Sequence, residues 1–178
     1  LYSLGRIGQA SPAEAVRKPL LKMLHNDDPR LRSAALWGLS QMPGPEITDT
    51  LLEVLSNDAD ASVHEAAVKY LGERRDASPQ VRVALLHTLQ EAITPGSILP
   101  EYVVVESLGR LGDASAEVIS ALIASLQRNM LISTGGNVVF MLSDESTLKS
   151  LQQLSYSSPE VVSMVTDAFQ NAIPSVRI

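Results

Sequence analysis

Apolar residues along the chain follow two helical patterns that alternate from one end to the other. The first is an apolar triplet at positions i, i+1 and i+4, the spacing that buries one face of a helix. Its copies are Leu20, Leu21 and Leu24; Leu51, Leu52 and Leu55; Leu85, Leu86 and Leu89; and Leu122, Ile123 and Leu126. The second mixes branched and small residues: Leu31, Ala34, Ala35, Leu36 and Leu39; Val63, Ala66, Ala67, Val68 and Leu71; and Val103, Val104, Val105 and Leu108. This alternation predicts an all-α fold built from pairs of helices, which we call A and B.

Proline and serine mark where the A helices begin. We expect starts at Pro12, Pro45, Pro79, Ala116 and Pro159, often preceded by a serine, namely Ser11, Ser78, Ser115 and Ser158. A serine hydroxyl accepts a hydrogen bond from a free N–H of the first turn, and proline lacks the N–H that is unpaired there anyway. Near the ends of B helices, Leu4-Gly5-Arg6-Ile7-Gly8 returns as Leu108-Gly109-Arg110-Leu111-Gly112. A repeat of about 35 residues is typical of stacked helix pairs.

The turns between A and B helices carry the most specific motif. Asn26-Asp27-Asp28-Pro29-Arg30-Leu31-Arg32 is followed by an alanine pair, and Asn57-Asp58 opens a second copy in which His64 stands where arginine is expected. This pattern resembles the HEAT-repeat family, with Asp27, Pro29 and Arg32 on the family positions. The resemblance implies a right-handed α-solenoid of about five HEAT-like helix pairs. It also implies that Arg32 is structural and bonds acceptors near the Asp27 turn of its own or an adjacent unit.

The resemblance covers most of residues 1–128 and becomes less regular over about 129–178. We interpret residues 1–178 as a single HEAT-like repeat domain. Because the chain begins at Leu1 in the second half of a repeat, we expect it to be a fragment of a larger protein. We expect longer connections at 94–99 and 130–137. Residues 137–142 are expected to start a B helix, with 147–155 as its continuation or as an extra helix.

Charge and cysteine content narrow the possible partners. The net charge is −6 and the pI about 5.0, so the counterion release that drives nucleic-acid binding has little to act on. The absence of cysteine excludes disulfides and thiolate metal sites but does not identify the compartment, for which the cytoplasm is only slightly favoured. The longest uncharged stretch, residues 129–143, is too short and too interrupted by glycine to span a membrane.

No cluster of residues predicts catalysis or a cofactor. His25, His64 and His87 fall on different helices and lack the spacing of metal ligands. The run 58–69 begins like a calcium loop, but it lacks glycine at the sixth place and has Lys69 where a bidentate glutamate belongs. We therefore expect no catalytic residue, no metal and no cofactor, and a chain that is not an enzyme by itself.

The surface that we expect to bind a partner is a ridge on the B helices. Positions four apart on these helices avoid the buried pattern and share one face. The candidate binding residues are Tyr2, Ser33, Trp37, Glu65, Lys69, Tyr102 and Glu106, and Arg6, Gln41, Glu73 and Arg110 share their ridge. The resemblance implies that B helices line the concave side of the solenoid, and aromatic rings and arginine are enriched at binding hot spots. Two structural alternatives stay open: Trp37 packs against Tyr2 across neighbouring B helices, and Arg6 and Arg110 only neutralise the ends of their helices.

The function that these features favour is an interaction scaffold that binds a protein or peptide, with each repeat contributing a few side chains. One alternative is the sensing or autoinhibitory repeat region of a multidomain regulator. Another, implied by a shared Asp-x-Pro-x-apolar-Arg repeat, is a HEAT-like lyase subunit that attaches bilins to phycobiliproteins. A nucleic-acid-processing repeat protein needs a basic face, which Glu65, Glu73 and Glu106 argue against.

Overall fold

The computed structural model describes residues 12–132, 142–155 and 159–172, and every regular element within these ranges is an α-helix. The helices are α1 (Pro12–Met23), α2 (Pro29–Ser40), α3 (Pro45–Asn57), α4 (Ala61–Arg74), α5 (Pro79–Ala92), α6 (Glu101–Leu111), α7 (Ala116–Ile132), α8 (Leu142–Ser155) and α9 (Pro159–Ala172). Odd-numbered helices are the A helices, and their five predicted starts are confirmed. Even-numbered helices are the B helices.

The less regular end of the chain keeps the same alternation. Helix α8 begins at Leu142 and runs unbroken through 147–155, so these residues continue one helix, while residues 137–141 lie outside the described part of the chain. Helix α7 continues to Ile132, past the start of the connection that we expected at 130–137. The long connection at 94–99 is confirmed, because it lies between the end of α5 and the start of α6.

The buried positions follow the predicted patterns in most helices, but Leu20, Leu21 and Leu24 near α1 and Ala66 on α4 are only half-buried, and the start of α2 is exposed. In α3, α5 and α7 the first residue of each apolar doublet is fully buried and the second is half-buried. In α2, Ala35, Leu36 and Leu39 are fully buried, but Leu31 is 41% exposed and Ala34 is exposed as well. The prediction that these two are buried was wrong. Leu31 lies in the first turn of α2, ahead of the buried stripe, and Ala34 lies about 100° around the helix from Ala35.

The chain divides into two compact units, Leu1–Ala67 and Val68–Ile178, so that α4 contributes residues to both. In the first unit, α2 packs against α1 and α3. In the second unit, α6 packs against α5 and α8, while α9 packs against α7 and α8. Helix α6 is the most enclosed element there, since Val103, Val104, Val105 and Leu108 are all buried.

Glycine lets successive B helices of the second unit approach closely. A Cβ atom built on Gly72 would lie 2.7 Å from the Cα atom of Ser107, and one built on Gly109 would lie 2.9 Å from the Cα atom of Ser150. In both junctions, the glycine that follows the repeated leucine of one B helix meets the serine that precedes the leucine of the next. The two junctions therefore share one register, and no larger side chain fits at either glycine.

Aspartate, and not serine, organises the turns between helices. The side chains of Asp28, Asp58, Asp76 and Asp113 each accept a hydrogen bond from the backbone N–H two residues later, at 2.9 to 3.2 Å. Ser78 makes no capping bond with its side chain, and the hydroxyl oxygen of Ser115 is buried without a partner in the described part of the chain. The prediction of serine caps was wrong for these two, because the aspartate two residues earlier orients the turn. Ser11 and Ser158 lie outside the described residues.

Arg32 ties the start of α2 to both neighbouring turns. Its Nε and Nη2 atoms donate to the two carboxylate oxygens of Asp58 at 2.6 and 2.8 Å, and Nη1 donates to the carbonyl oxygens of Asn26 and Asp27 at 2.9 and 3.1 Å. The prediction that Arg32 bonds acceptors in its own turn or in an adjacent unit is therefore confirmed, since it bonds acceptors in both. The hydrogen bonds from Arg32 hold the pKa of Asp58 below its usual value.

The second unit contains a matching pair that the sequence analysis missed. Arg82 is the fourth residue of α5, as Arg32 is of α2, and its Nη1 atom donates to Asp113 at 3.0 Å. Asp113 also opens its own turn by accepting from the N–H of Ser115. The signal was present as Pro79-Gln80-Val81-Arg82, which repeats the Pro-x-apolar-Arg spacing of 29–32.

Truncation of the buried B-helix leucines tests the packing. We expect Leu36→Ala, Leu39→Ala or Leu71→Ala to lower the free energy of unfolding by roughly 2 to 5 kcal/mol, because each side chain is fully buried and leaves a cavity. Urea unfolding measures the change. Leu31→Ala is the matched control on α2 and should cost clearly less. Parent-like midpoints for all three buried variants would show that the B-helix register is wrong.

Removal of Arg32 tests the turn network. Arg32→Ala should lower the free energy of unfolding by on the order of 1.5 to 3 kcal/mol, because charged hydrogen bonds are lost and Asp58 keeps a part-buried charge. Arg30→Ala on the same helix turn changes an exposed side chain and should cost less than about 0.5 kcal/mol. Equal effects of the two substitutions in urea unfolding would remove the assigned structural role.

The same variant has an expected pH dependence. A carboxyl group whose pKa is lowered on folding contributes stability above its unfolded pKa, which is about 3.9 for aspartate, and loses that contribution as the pH falls through the folded pKa. Acidification below about pH 4 should therefore narrow the difference in stability between the parent and Arg32→Ala. A difference that stays constant down to pH 2 would contradict the ion pair.

The substitution Gly72→Ala tests the close approach of α4 and α6, because the sign of the change in the free energy of unfolding shows whether a methyl group fits between them. Alanine is favoured over glycine in a helix by about 1 kcal/mol, yet its methyl group would overlap the backbone of Ser107. We expect a net loss of roughly 1 to 3 kcal/mol in urea unfolding. Gly38→Ala is the control, because only the end of the flexible Leu20 side chain must move there. A stabilised Gly72→Ala variant would rule out the tight junction.

Candidate functional site

The B-helix ridge is the set of positions that lie two residues before, two after and six before the repeated leucine of each B helix. In the described chain it comprises Ser33 and Trp37 on α2 with Gln41 at its C-cap; Glu65, Lys69 and Glu73 on α4; and Tyr102, Glu106 and Arg110 on α6. None of these side chains belongs to the buried core, which agrees with the helical spacing. Tyr2 and Arg6 lie outside the described residues, so their predicted place on the ridge is untested.

The ridge of the first unit centres on an exposed indole ring. Trp37 is 60% exposed, the most exposed aromatic residue in the described chain. Its backbone carbonyl accepts a hydrogen bond of 2.8 Å from the hydroxyl of Ser40. The hydroxyl oxygen of Ser33 is instead enclosed and has no hydrogen-bond partner in the described part of the chain. Trp37 therefore presents most of its ring to solvent, whereas Ser33 presents no polar atom.

The ridge of the second unit is a chain of ion pairs beside a tyrosine. Arg110 on α6 donates to Glu106 one turn away at 3.0 Å and to Glu73 on α4 at 3.5 Å. Arg110 also lies in the last turn of its helix, as the alternative role expected, but it additionally links two B helices. Tyr102 is 38% exposed on the same helix. Because these pairs are largely exposed, each is worth at most about 1 kcal/mol and can exchange for contacts with a partner.

Helix α8 extends this ridge, which the sequence analysis did not predict. The close contact of Gly109 with Ser150 makes α8 the B helix that follows α6. At the ridge positions of α8 lie Glu145 and Lys149, which form an exposed ion pair of 2.7 Å. The hydrogen bond with Glu145 raises the pKa of Lys149, and the negative charge of Glu106 raises it further. The signal was Ser150-Leu151, which repeats Ser107-Leu108.

The acidic run at 58–69 is engaged in structural contacts. Both carboxylate oxygens of Asp58 accept hydrogen bonds from Arg32, and Asp60 accepts from the backbone N–H and the hydroxyl of Ser62. Across residues 12–132, 142–155 and 159–172, no group of three or more His, Asp or Glu side chains is arranged to hold a metal ion. Within the same ranges, no helix is both long and apolar enough to cross a membrane.

Comparison with known proteins places the repeats in a family. The family model for HEAT repeats matches residues 2–72 and 17–96, so the two overlapping matches span more than half of the 178 residues. The search of curated proteins gave no match. The matched region includes the turns of Asp28, Asp58 and Asp76 and the Arg32–Asp58 pair, and the same alternation of A and B helices continues through α9. The handedness of the array stays a prediction. The chain belongs to the family of HEAT repeats.

Proposed function

We propose that this protein is an interaction scaffold and that its B-helix ridge binds a protein or peptide. HEAT repeats are commonly scaffolds for protein interactions and typically lack catalytic activity of their own. We assign the binding role to this ridge because Trp37, on the ridge of the first unit, is 60% exposed. Large aromatic rings of this kind are the residues most enriched at binding hot spots.

The exposed indole supplies the apolar part of the binding energy. A tryptophan buries about 150–250 Å² in a core or an interface. At about 25 cal/mol per Å², covering the exposed part of Trp37 contributes on the order of 3 kcal/mol. The alternative that Trp37 packs against Tyr2 of the neighbouring B helix stays a prediction, because Tyr2 lies outside the described residues.

The charged ridge residues supply specificity. Glu65 and Lys69 are exposed and make no ion pair in the described part of the chain, while Glu106 shares Arg110 with Glu73. A partner with both acidic and basic groups can pair with these side chains or replace their exposed pairs at little cost. The glutamates of the ridge repel a polyanion, so a protein or peptide fits this surface better than nucleic acid does.

Binding on the ridge should depend on ridge residues and not on the outer faces of the A helices. A peptide selected from a displayed library on the parent chain serves as the ligand, and the emission of Trp37, the sole tryptophan, reports its burial. Trp37→Ala should weaken binding by at least about 30-fold, corresponding to about 2 kcal/mol. Lys69→Ala and Glu106→Ala should each weaken it by a few-fold, as exposed charges do.

Lys22→Ala on α1 and Glu53→Ala on α3 are the controls and should leave the affinity unchanged. Both residues are exposed and lie on A helices. Titration by anisotropy of the labelled peptide covers all five variants, including Trp37→Ala. Equal losses from both sets, or losses from the A-helix set alone, would move the binding surface away from the ridge.

A further inference from the structure

The first unit contains a groove between α1 and α3 that the packing of the repeat leaves open. It encloses about 400 Å³, a volume within the usual range of about 300–1,000 Å³ for binding pockets. Its floor includes Leu21 from α1, Leu24 just beyond the end of α1 and Val54 from α3, and its rim includes His25, Glu53 and Asn57. We call it the A-helix groove. It shares no residue with the B-helix ridge.

The apolar floor of this groove is incompletely covered. Leu21, Leu24 and Val54 are all half-buried, whereas Leu55, the counterpart of Leu24 on α3, is buried in the core. Leaving such surface open to water has a free-energy cost that a partner's apolar side chains remove. The floor therefore favours a ligand with apolar groups over a purely polar one.

One ion pair links α1 to α3 ahead of the groove, and a second holds one of the residues that line it. Arg17 on α1 bonds Glu46 at the start of α3 with a distance of 2.8 Å. At the other end, Asp58 lines the groove and is held by Arg32. The lining residues of α3 run from 50 to 57, about 10 Å at 1.5 Å per residue. That length matches about two turns of an added helix.

Exposed residues of opposite charge lie on α1 and α3 beside the groove. Lys18 and Lys22 are four residues apart on α1, and Asp49 and Glu53 are four residues apart on α3. Glu53 lines the groove, and helical spacing puts the other three on the flanks next to its lining residues. None of the four charged groups has an ion-pair partner within the described ranges. Like charges at this spacing destabilise a helix slightly, by about 0.2–0.5 kcal/mol in isolation. Each edge thus presents charges that a ligand of opposite sign can pair with.

We propose that the A-helix groove binds an amphipathic helix of another protein. About two turns of this helix place apolar side chains on Leu21, Leu24 and Val54. One flank of the helix carries carboxylates that face the lysines of α1, and the other carries lysine or arginine that faces the carboxylates of α3. Helix-in-groove recognition uses this combination of apolar anchors and charged flanks. The groove is a second binding surface, so this proposal holds or fails independently of the ridge.

A designed peptide tests the proposal directly. The probe is a labelled helical peptide with leucine at helical positions i, i+3, i+4 and i+7, glutamate along one flank and lysine along the other, titrated by fluorescence anisotropy. The parent chain should bind it. A peptide with the same leucines but glutamine on both flanks should bind at least about tenfold more weakly. No binding of the charged probe, or equal binding of both peptides, would overturn the proposal.

Substitutions that reverse the charges at the groove edges show whether the probe docks specifically in the groove or is only attracted by the net negative charge of the chain. Lys18→Glu with Lys22→Glu makes both edges acidic and should weaken the charged probe about tenfold. Adding Asp49→Lys and Glu53→Lys reverses both edges, restores the parent net charge and should restore binding, because the helix can dock in the opposite direction. If the four-residue variant binds as weakly as the two-residue variant, the edges do not recognise the flanks and the proposal is wrong.

Two further variants separate the groove from folding and from the ridge. Leu24→Asp should abolish binding of the probe, and its thermal unfolding midpoint shows whether the chain remains folded. The charge-reversal variants change only exposed side chains, which the fold does not need. They therefore still test binding in the groove if the Leu24→Asp variant unfolds. Trp37→Ala should leave the affinity for the probe unchanged. A large loss with Trp37→Ala would place the peptide on the ridge instead of in the groove.

Discussion

The repeats depend on aspartates that act on two parts of the chain at once. Asp58 closes its own turn by accepting the N–H of Asp60 and also accepts two hydrogen bonds from Arg32, which lies one helix earlier. Asp113 combines the N–H of Ser115 with Arg82 in the same manner. One carboxylate therefore sets the direction in which the next helix leaves and fixes that turn to a preceding helix. Such a link is what a stacked array needs, because each unit is stabilised chiefly by its neighbours.

Much of the fold was predictable because its determinants are local. Proline at the first helical position and the i, i+1, i+4 triplets depend only on the geometry of one helix, and the five A-helix starts follow from them. The prediction of serine caps was wrong at Ser78 and Ser115, because an aspartate two residues earlier orients each of these turns. The prediction that Leu31 is buried was wrong for a different reason. The burial of Leu31 depends on how far the neighbouring helices extend over the first turn of α2, and the apolar periodicity gives no information about that.

The candidate site was predictable only in part, and for the same physical reason. Helical spacing alone places the ridge residues away from the core, so the exposure of Trp37 could be expected. The pairing of Arg110 with Glu73 could not, because it depends on the rotation and separation of two B helices. The A-helix groove was likewise beyond the sequence pattern, since it arises from how α1 and α3 separate between two ion pairs. Tertiary placement, not local propensity, decides both features.

Comparing the repeats with one another separates the residues that hold the array from those available for recognition. The leucine of each B helix recurs as Leu39, Leu71, Leu108 and Leu151, and all four are buried. Two residues before that leucine the chemistry changes each time, to Trp37, Lys69, Glu106 and Lys149, and all four are exposed. A position that packs against the next unit must keep its size, whereas a position facing solvent carries no such constraint. Under the proposed function, variation at one register gives each repeat a different side chain to offer a partner, while the buried leucine keeps the packing of the repeats the same.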